Sequence, residues 1–132
     1  MLMPSISRYM TTKPVTVQRS APLAEARRLM SDHGIRHLPV LDGRDLCGIV
    51  SDRDLRLLSN GPLDLDCDRV ADAMTDRPFI VTSDAPLDEV VEIMGARKYG
   101  SVVVAGKDGV EGIFTAVDAC MALIDVLRRA AA

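Results

Sequence analysis

A chain of 132 residues can form one compact domain or two small halves sharing a core. Its content is 48% hydrophobic, and with two Phe, two Tyr and no Trp that core must be aliphatic. A net charge of −3 argues against general attraction to nucleic-acid phosphates, and no apolar run is long enough to span a bilayer.

The first ten residues carry Pro4, Ser5, Ser7 and Arg8 and no apolar stretch, so no secretory signal is expected. A short β-rich run, Val15 to Val17, follows Pro14. Next comes a helix expected to begin near Ser20, a capping residue, with Pro22 in its first turn. Leu23, Ala26, Leu29 and Met30 give it one apolar face, and Gly34 supplies a stop. Two strands, His37 to Leu41 and Leu46 to Val50, are joined across Asp42-Gly43, and a helix starts at Ser51. The polar stretch Ser59 to Asp68 reads as a linker.

The pattern then recurs. Sliding the chain so that Met10 falls on Met74 gives a gapless match. In it Met10-Thr11 meets Met74-Thr75, Ala21-Pro22-Leu23 meets Ala85-Pro86-Leu87, Gly48-Ile49 meets Gly112-Ile113, and Asp54 meets Asp118. Internal duplication is therefore the strongest signal present. The second copy predicts a strand at Phe79 to Val81 and a helix from near Asp84 carrying Leu87, Val90, Ile93 and Met94. Strands follow at Ser101 to Ala105 and Val110 to Phe114, with Asp108-Gly109 at their turn. The final helix, from Thr115, bears an apolar stripe of Val117, Cys120, Met121, Ile124 and Leu127. The expected organisation is repeat 1 with its linker over 1–66 and repeat 2 with the C-terminal helix over 67–132. One unit of this size buries too little surface alone, so two α/β repeats, each β-α-β-β-α, are expected to pack sheet to sheet about a pseudo-twofold axis.

The repeated element with chemical content is Gly48-Ile49-Val50-Ser51-Asp52-Arg53-Asp54 and its partner Gly112-Ile113-Phe114-Thr115-Ala116-Val117-Asp118. Both place a hydroxyl at a helix start and an Asp three residues later. Free N–H groups there favour an anion such as phosphate, and an ionised carboxylate, which only accepts, suits the hydroxyls of a ribose. The strand glycine permits close backbone approach. The same spacing is also an ordinary capping box that needs no ligand, and spacing alone does not separate the two readings.

The whole chain resembles a tandem pair of cystathionine-β-synthase (CBS) domains, a Bateman module. The resemblance rests on Met10-Thr11, Pro14, Val17, Ala21-Pro22-Leu23, Gly34 to Val40 and the Gly48 to Asp54 motif. In the second half it rests on Val70 to Thr75, Pro78, Ala85-Pro86-Leu87, Val102 to Val104 and Gly112 to Asp118. It implies a regulatory module binding AMP, ADP, ATP, S-adenosylmethionine or NAD in the cleft between repeats, usually as a homodimer, with no catalytic cofactor. By motif position, Asp54 and Asp118 would hold ribose hydroxyls, and Ser51 and Thr115 would sit near phosphate. Thr16, Ala21, Ile80 and Ala85 would edge the adenine pocket. Ile35, Arg36 and His37 would border the first site, with Pro39 and Tyr99 among the nucleotide-binding residues and Arg36 and Arg53 facing phosphate. The second copy has Tyr99-Gly100-Ser101 in place of Ile35-Arg36-His37 and Val117 in place of Arg53, which removes two cations and predicts unequal sites.

Other features carry less. His33 and His37 are interrupted by Gly34, and no completing ligand stands at metal spacing. No catalytic Ser/His/Asp or Cys/His set is readable, so no enzyme is expected. Met30, Met94 and Met121 are expected in the core, and the three cysteines as reduced, mostly buried thiols of a cytoplasmic protein. With no output domain in the sequence, a separate regulated protein is expected as partner, and neither nucleic acid nor membrane. The rival reading is a ligand-free module used for dimerisation.

Overall fold

The computed structural model describes residues 2–59 and 64–132, a mixed α/β architecture with two sheets and five helices. The chain divides into two compact units: Pro14–Pro78, and Met1–Lys13 together with Phe79–Ala132.

In the first unit, β2 (Val17–Gln18) runs parallel to β3 (His37–Asp42), which pairs antiparallel with β4 (Asp45–Ser51). The crossover between β2 and β3 is α1 (Leu23–His33), and β4 leads into α2 (Asp52–Ser59) and then α3 (Val70–Ala73). Leu23, Ala26 and Met30 on α1, Val17, Leu38, Val40 and Val50 on the strands, and Val70 on α3 share one buried cluster. Alternation therefore sends Leu38 and Val40 to the core and leaves His37 and Pro39 on the other face of β3.

The other unit repeats this arrangement with β5 (Ile80–Val81), α4 (Leu87–Arg97), β6 (Ser101–Gly106), β7 (Gly109–Thr115) and α5 (Ala116–Ala131). Its core joins Leu87, Val90 and Met94 to Val102, Val104, Phe114, Ala122 and Ile6, the last from a one-turn 3-10 helix, Ile6–Arg8. A fourth strand, β1 (Thr11–Thr12), pairs antiparallel with β7, Thr11 opposite Ile113. The first unit has the equivalent contact as a single bridge, Ile49 opposite Thr75. Each compact unit thus takes its lead-in segment from ahead of the other unit's first long strand, so compact units and sequence repeats share members without sharing boundaries.

That lead-in explains where the helices start. The sequence predicts capping by Ser20 and Asp84 with the prolines inside the first turn, but Pro22 and Pro86 are themselves the N-cap residues, and neither helix has a side-chain cap. Backbone carbonyls take that role: Leu23 N–H donates to Asp68 (3.0 Å), Ala24 N–H to Leu65 (2.9 Å) and Leu87 N–H to Pro4 (2.9 Å). The predicted linker Ser59 to Asp68 lies partly outside the described residues; its described end supplies the Leu65 and Asp68 carbonyls.

Gly34 ends α1 at φ +62°, and the matching α4 ends on Lys98 at φ +58°, a conformation that is less favourable with a side chain. The two hairpin turns use glycine differently: Gly43 lies inside the first, between Asp42 and Asp45, whereas Gly109 closes the second against Gly106. That accounts for the two-residue offset of Asp-Gly between the copies.

Three burial expectations are corrected. Met121 is 60% exposed, because α5 meets its core through the small Ala119 and Ala122, which leaves Val117, Met121, Ile124 and Leu127 exposed. Cys67 and Cys120 are also exposed and only Cys47 is half-buried; no disulfide forms among them. Among the described residues no helix is long and apolar enough to cross a membrane.

Gly48 and Gly112 are the strand positions against which the lead-in backbone is pressed. A Cβ on Gly48 would lie 2.7 Å from both Met74 Sδ and the Thr75 carbonyl oxygen; on Gly112 it would lie 2.6 Å from Met10 Sδ and 2.9 Å from the Thr11 carbonyl oxygen. The close approach read from the sequence is made by the lead-in backbone. Gly48→Ala or Gly112→Ala is expected to cost roughly 1–3 kcal/mol of stability, the range for overpacking. Urea denaturation should show a lower midpoint at an unchanged slope.

Candidate nucleotide site

The strand-to-helix junction after β4 is closed by a reciprocal pair of hydrogen bonds. Ser51 N–H donates to Asp54 Oδ2 (2.9 Å), and Asp54 N–H donates to Ser51 Oγ (3.1 Å). After β7, Thr115 N–H donates to Asp118 Oδ2 (2.9 Å), Asp118 N–H donates to Thr115 Oγ1 (3.3 Å), and the Thr115 hydroxyl lies 3.2 Å from the same Oδ2. The capping reading is therefore correct in both copies. It does not exhaust the carboxylates, because each box engages Oδ2 and Oδ1 takes no part in it. Both acids are half-buried.

Pairing within the sheet brings further predicted residues to the first junction. His37 stands opposite Ser51, and Pro39 opposite Ile49. The Asp52 N–H donates to the Arg36 carbonyl (2.8 Å), tying the approach to β3 to the first turn of α2. Because Val17 is level with Val40, Thr16 falls level with Pro39, on the face away from α1. One face of the sheet thus carries Thr16, His37, Pro39 and Ser51, of which Pro39 is fully buried and the other three half-buried, edged by exposed Arg36 and Arg53 and by Asp54. Ala21 and Ile35 instead belong to the aliphatic core or its margin.

The second junction has the same frame with different groups. Ser101 stands opposite Thr115, the Ala116 N–H donates to the Gly100 carbonyl (3.1 Å), and Ile80 is level with Val103. Ile80, Tyr99 and Val117 are 48%, 38% and 68% exposed, so this junction presents apolar groups where the first presents Thr16 and cations. Tyr99 is braced by the Phe79 ring, 5.4 Å between centroids. Ala85 packs against the core, and its carbonyl accepts from Ile6 N–H (2.8 Å).

Sequence reading missed two parts of this arrangement. One is the matched pair Ile6 and Val70, fully buried anchors of the lead-in segments, whose signal was the same repeat register carried further toward the N-terminus. The other is an ion pair on α2, Asp52 Oδ2 to Arg56 Nε at 3.1 Å, legible as an i,i+4 acid–base spacing.

A CBS domain family model matches the chain twice, over residues 6–61 and 70–125, and the protein belongs to that family as a tandem pair. Inosine-5′-monophosphate dehydrogenase of Korarchaeum cryptofilum is 39% identical over 105 residues, which is 79% of this chain and 21% of that enzyme. The uncharacterized protein YlbB of Bacillus subtilis is 35% identical over 96 residues, 71% of this chain and 65% of YlbB. The chain thus spans less than two-thirds of either relative. Among solved structures, AcuB from Vibrio cholerae superposes with a TM-score of 0.86 at 32% identity, covering 96% of this chain and 95% of that one. CBSX2, solved with AMP, shares the fold at a TM-score of 0.83 and 23% identity, over 93% and 98% of the two chains. So does the CBS pair of MJ0100, solved with 5′-methylthioadenosine and S-adenosyl-L-methionine, at 0.81 and 23%, over 92% and 97%.

Burial lowers the pKa of His37 below its ordinary value, outweighing the opposing pull of Asp54 and Asp52, while Arg36 lowers it further. A depressed histidine binds its proton more tightly in the unfolded chain, so stability should fall as pH drops through about 6.5. Denaturation midpoints at about pH 7.5 and 5.5 check this: His37→Gln should lose less stability across that interval than the parent.

Proposed function

We propose that this chain is a regulatory module, not an enzyme, that binds an adenosine-type nucleotide and transmits occupancy to a separate partner protein. AMP, ADP and ATP are the first candidates, with S-adenosylmethionine and NAD as alternatives. The observation that carries the reading is the doubled junction. In each unit a helix start, a hydroxyl and a carboxylate with one oxygen outside the capping box stand together. Those groups answer the phosphate and diol of a nucleoside phosphate. The adenosyl ligands held by CBSX2 and MJ0100 support the choice of ligand class.

In this reading Asp54 and Asp118 accept from ribose hydroxyls, and Ser51 and Thr115 lie near phosphate. Thr16, Ile80 and the backbone around Ala21 and Ala85 edge the base. His37 and Tyr99 line the walls, with Pro39 and Ile35 buried or half-buried behind them. Arg36 and Arg53 make the first site the one for phosphorylated ligands; the second stays empty or takes a less charged adenosyl group. The module acts in the cytoplasm as a homodimer, and the exposed stripe Val117, Met121, Ile124 and Leu127 supports such an assembly. The same stripe favours the rival reading, a dimerisation module without ligand.

A thermal-shift panel of AMP, ADP, ATP, S-adenosylmethionine and NAD separates the two. Binding to the folded state adds about 2.7 kcal/mol at a ligand concentration one hundred times Kd. Stabilisation by at least one member is expected, and silence across the panel would leave only the interaction module. Calorimetry then addresses the asymmetry: Asp54→Ala should abolish most AMP binding while Asp118→Ala spares it. Equal losses would refute unequal sites.

A further inference from the structure

The first turn of α2 is not purely attractive to an anion. Asp52 and Asp54 both stand in it. A phosphate monoester, carrying about −1.5 to −2 charges at neutral pH, would meet Asp52 as a like charge at the helix end that otherwise favours it. Arg56 answers that acid one turn further along, at 3.1 Å. The aligned positions of the second copy are Ala116 and Cys120, so acid and arginine are missing there together. Asp52 is also close to the candidate ligand groups. Its N–H holds the Arg36 carbonyl, and its charge is felt by His37 alongside those of Asp54 and Arg36. With side chains 73% and 38% exposed, the pair contributes little to folding, so helix stability is a weak reason for its presence.

We infer that the Asp52–Arg56 pair selects for phosphate at the first site, an inference that rests on the nucleotide reading above. Arg56 draws the Asp52 carboxylate along the helix, away from its start, and cancels its charge. Arg36 and Arg53 then set the sign of the field that a phosphate meets. Taken over Arg36, Arg53, Arg56, Asp52 and Asp54 the first site carries one net positive charge; the aligned Gly100, Val117, Cys120, Ala116 and Asp118 carry one net negative. Arg56 is a positioning residue: it acts through Asp52 and does not touch the ligand.

Titration of AMP and of adenosine into the full chain, at about 50 mM salt where exposed charges are weakly screened, provides the test. Arg56→Ala should weaken AMP roughly five-fold, the size of one unscreened charge contact at the surface, and leave adenosine within about two-fold. Asp52→Asn should bind AMP at least as well as the parent, and adding Arg56→Ala to it should change little. Equal weakening of AMP and adenosine, no effect of Arg56→Ala, or the same loss with and without Asp52 would each overturn the role given to Arg56. A parent that binds adenosine and AMP equally would overturn it while sparing the nucleotide reading; a parent that binds neither would overturn both.

Discussion

In each unit a short extended segment lies so close to the last hairpin strand that the residue beneath it has no room for a side chain. Thr75 exchanges both backbone hydrogen bonds with Ile49, at 2.8 and 3.0 Å, directly beside Gly48. Thr11 takes the equivalent place opposite Ile113, beside Gly112. This contact fixes the third-last residue before each capping hydroxyl, and so the height at which Ser51 and Thr115 leave their strands. The same segments anchor Val70 and Ile6 in the cores and deliver the carbonyls that cap α1 and α4. A strand glycine that looks like a place for a ligand is a place for the chain itself, and the capping hydroxyl stands three residues later.

Past that point the two copies differ in kind rather than in shape. The hydrogen-bonded frame of the junction is the same, down to the backbone bond from Asp52 to Arg36 and from Ala116 to Gly100. A frame made of main-chain bonds tolerates substitution of the side chains around it, because those bonds ask nothing of residue type. The first copy has spent this freedom on charge, with Arg36, Arg53 and the Asp52–Arg56 pair. In the second it went to apolar surface, with Ile80, Tyr99 and Val117. Capping leaves each carboxylate an oxygen to spare, because it has two and the box needs one.

The repeat, the hairpins and both amphipathic helices were legible because each leaves a periodic mark: alternation in Leu38, Val40 and Val50, helical spacing in Leu23, Ala26 and Met30. The helices start two to three residues beyond Ser20 and Asp84. Ser20 and Asp84 look like caps only if a helix must cap itself, and here distant backbone carbonyls do it instead, which leaves no local trace. Met121 lies outside the core for a related reason. A stripe on α5 announces an apolar face without saying that Ala119 and Ala122, its small neighbours, make the contact with the core. The residues of the first junction were legible in type and spacing, but His37 facing Ser51 is a matter of strand register, which the hairpin turn sets.

Exchange of the lead-in segments also bears on what counts as a working part of this chain. Residues 14–78 hold together as a unit because Val70 completes the core under α1 and Thr75 pairs with Ile49. Cutting at the boundary between sequence repeats would remove both from the Asp54 motif. Gly48 would then lose the segment that lies upon it, and the Leu23 N–H at the start of α1 would lose the Asp68 carbonyl. The junction at Ser51–Asp54 therefore depends on residues twenty or so positions downstream, beyond its own repeat. The candidate junction is thus complete only in a segment that runs past the repeat boundary to Thr75, and duplication alone does not make either copy self-sufficient.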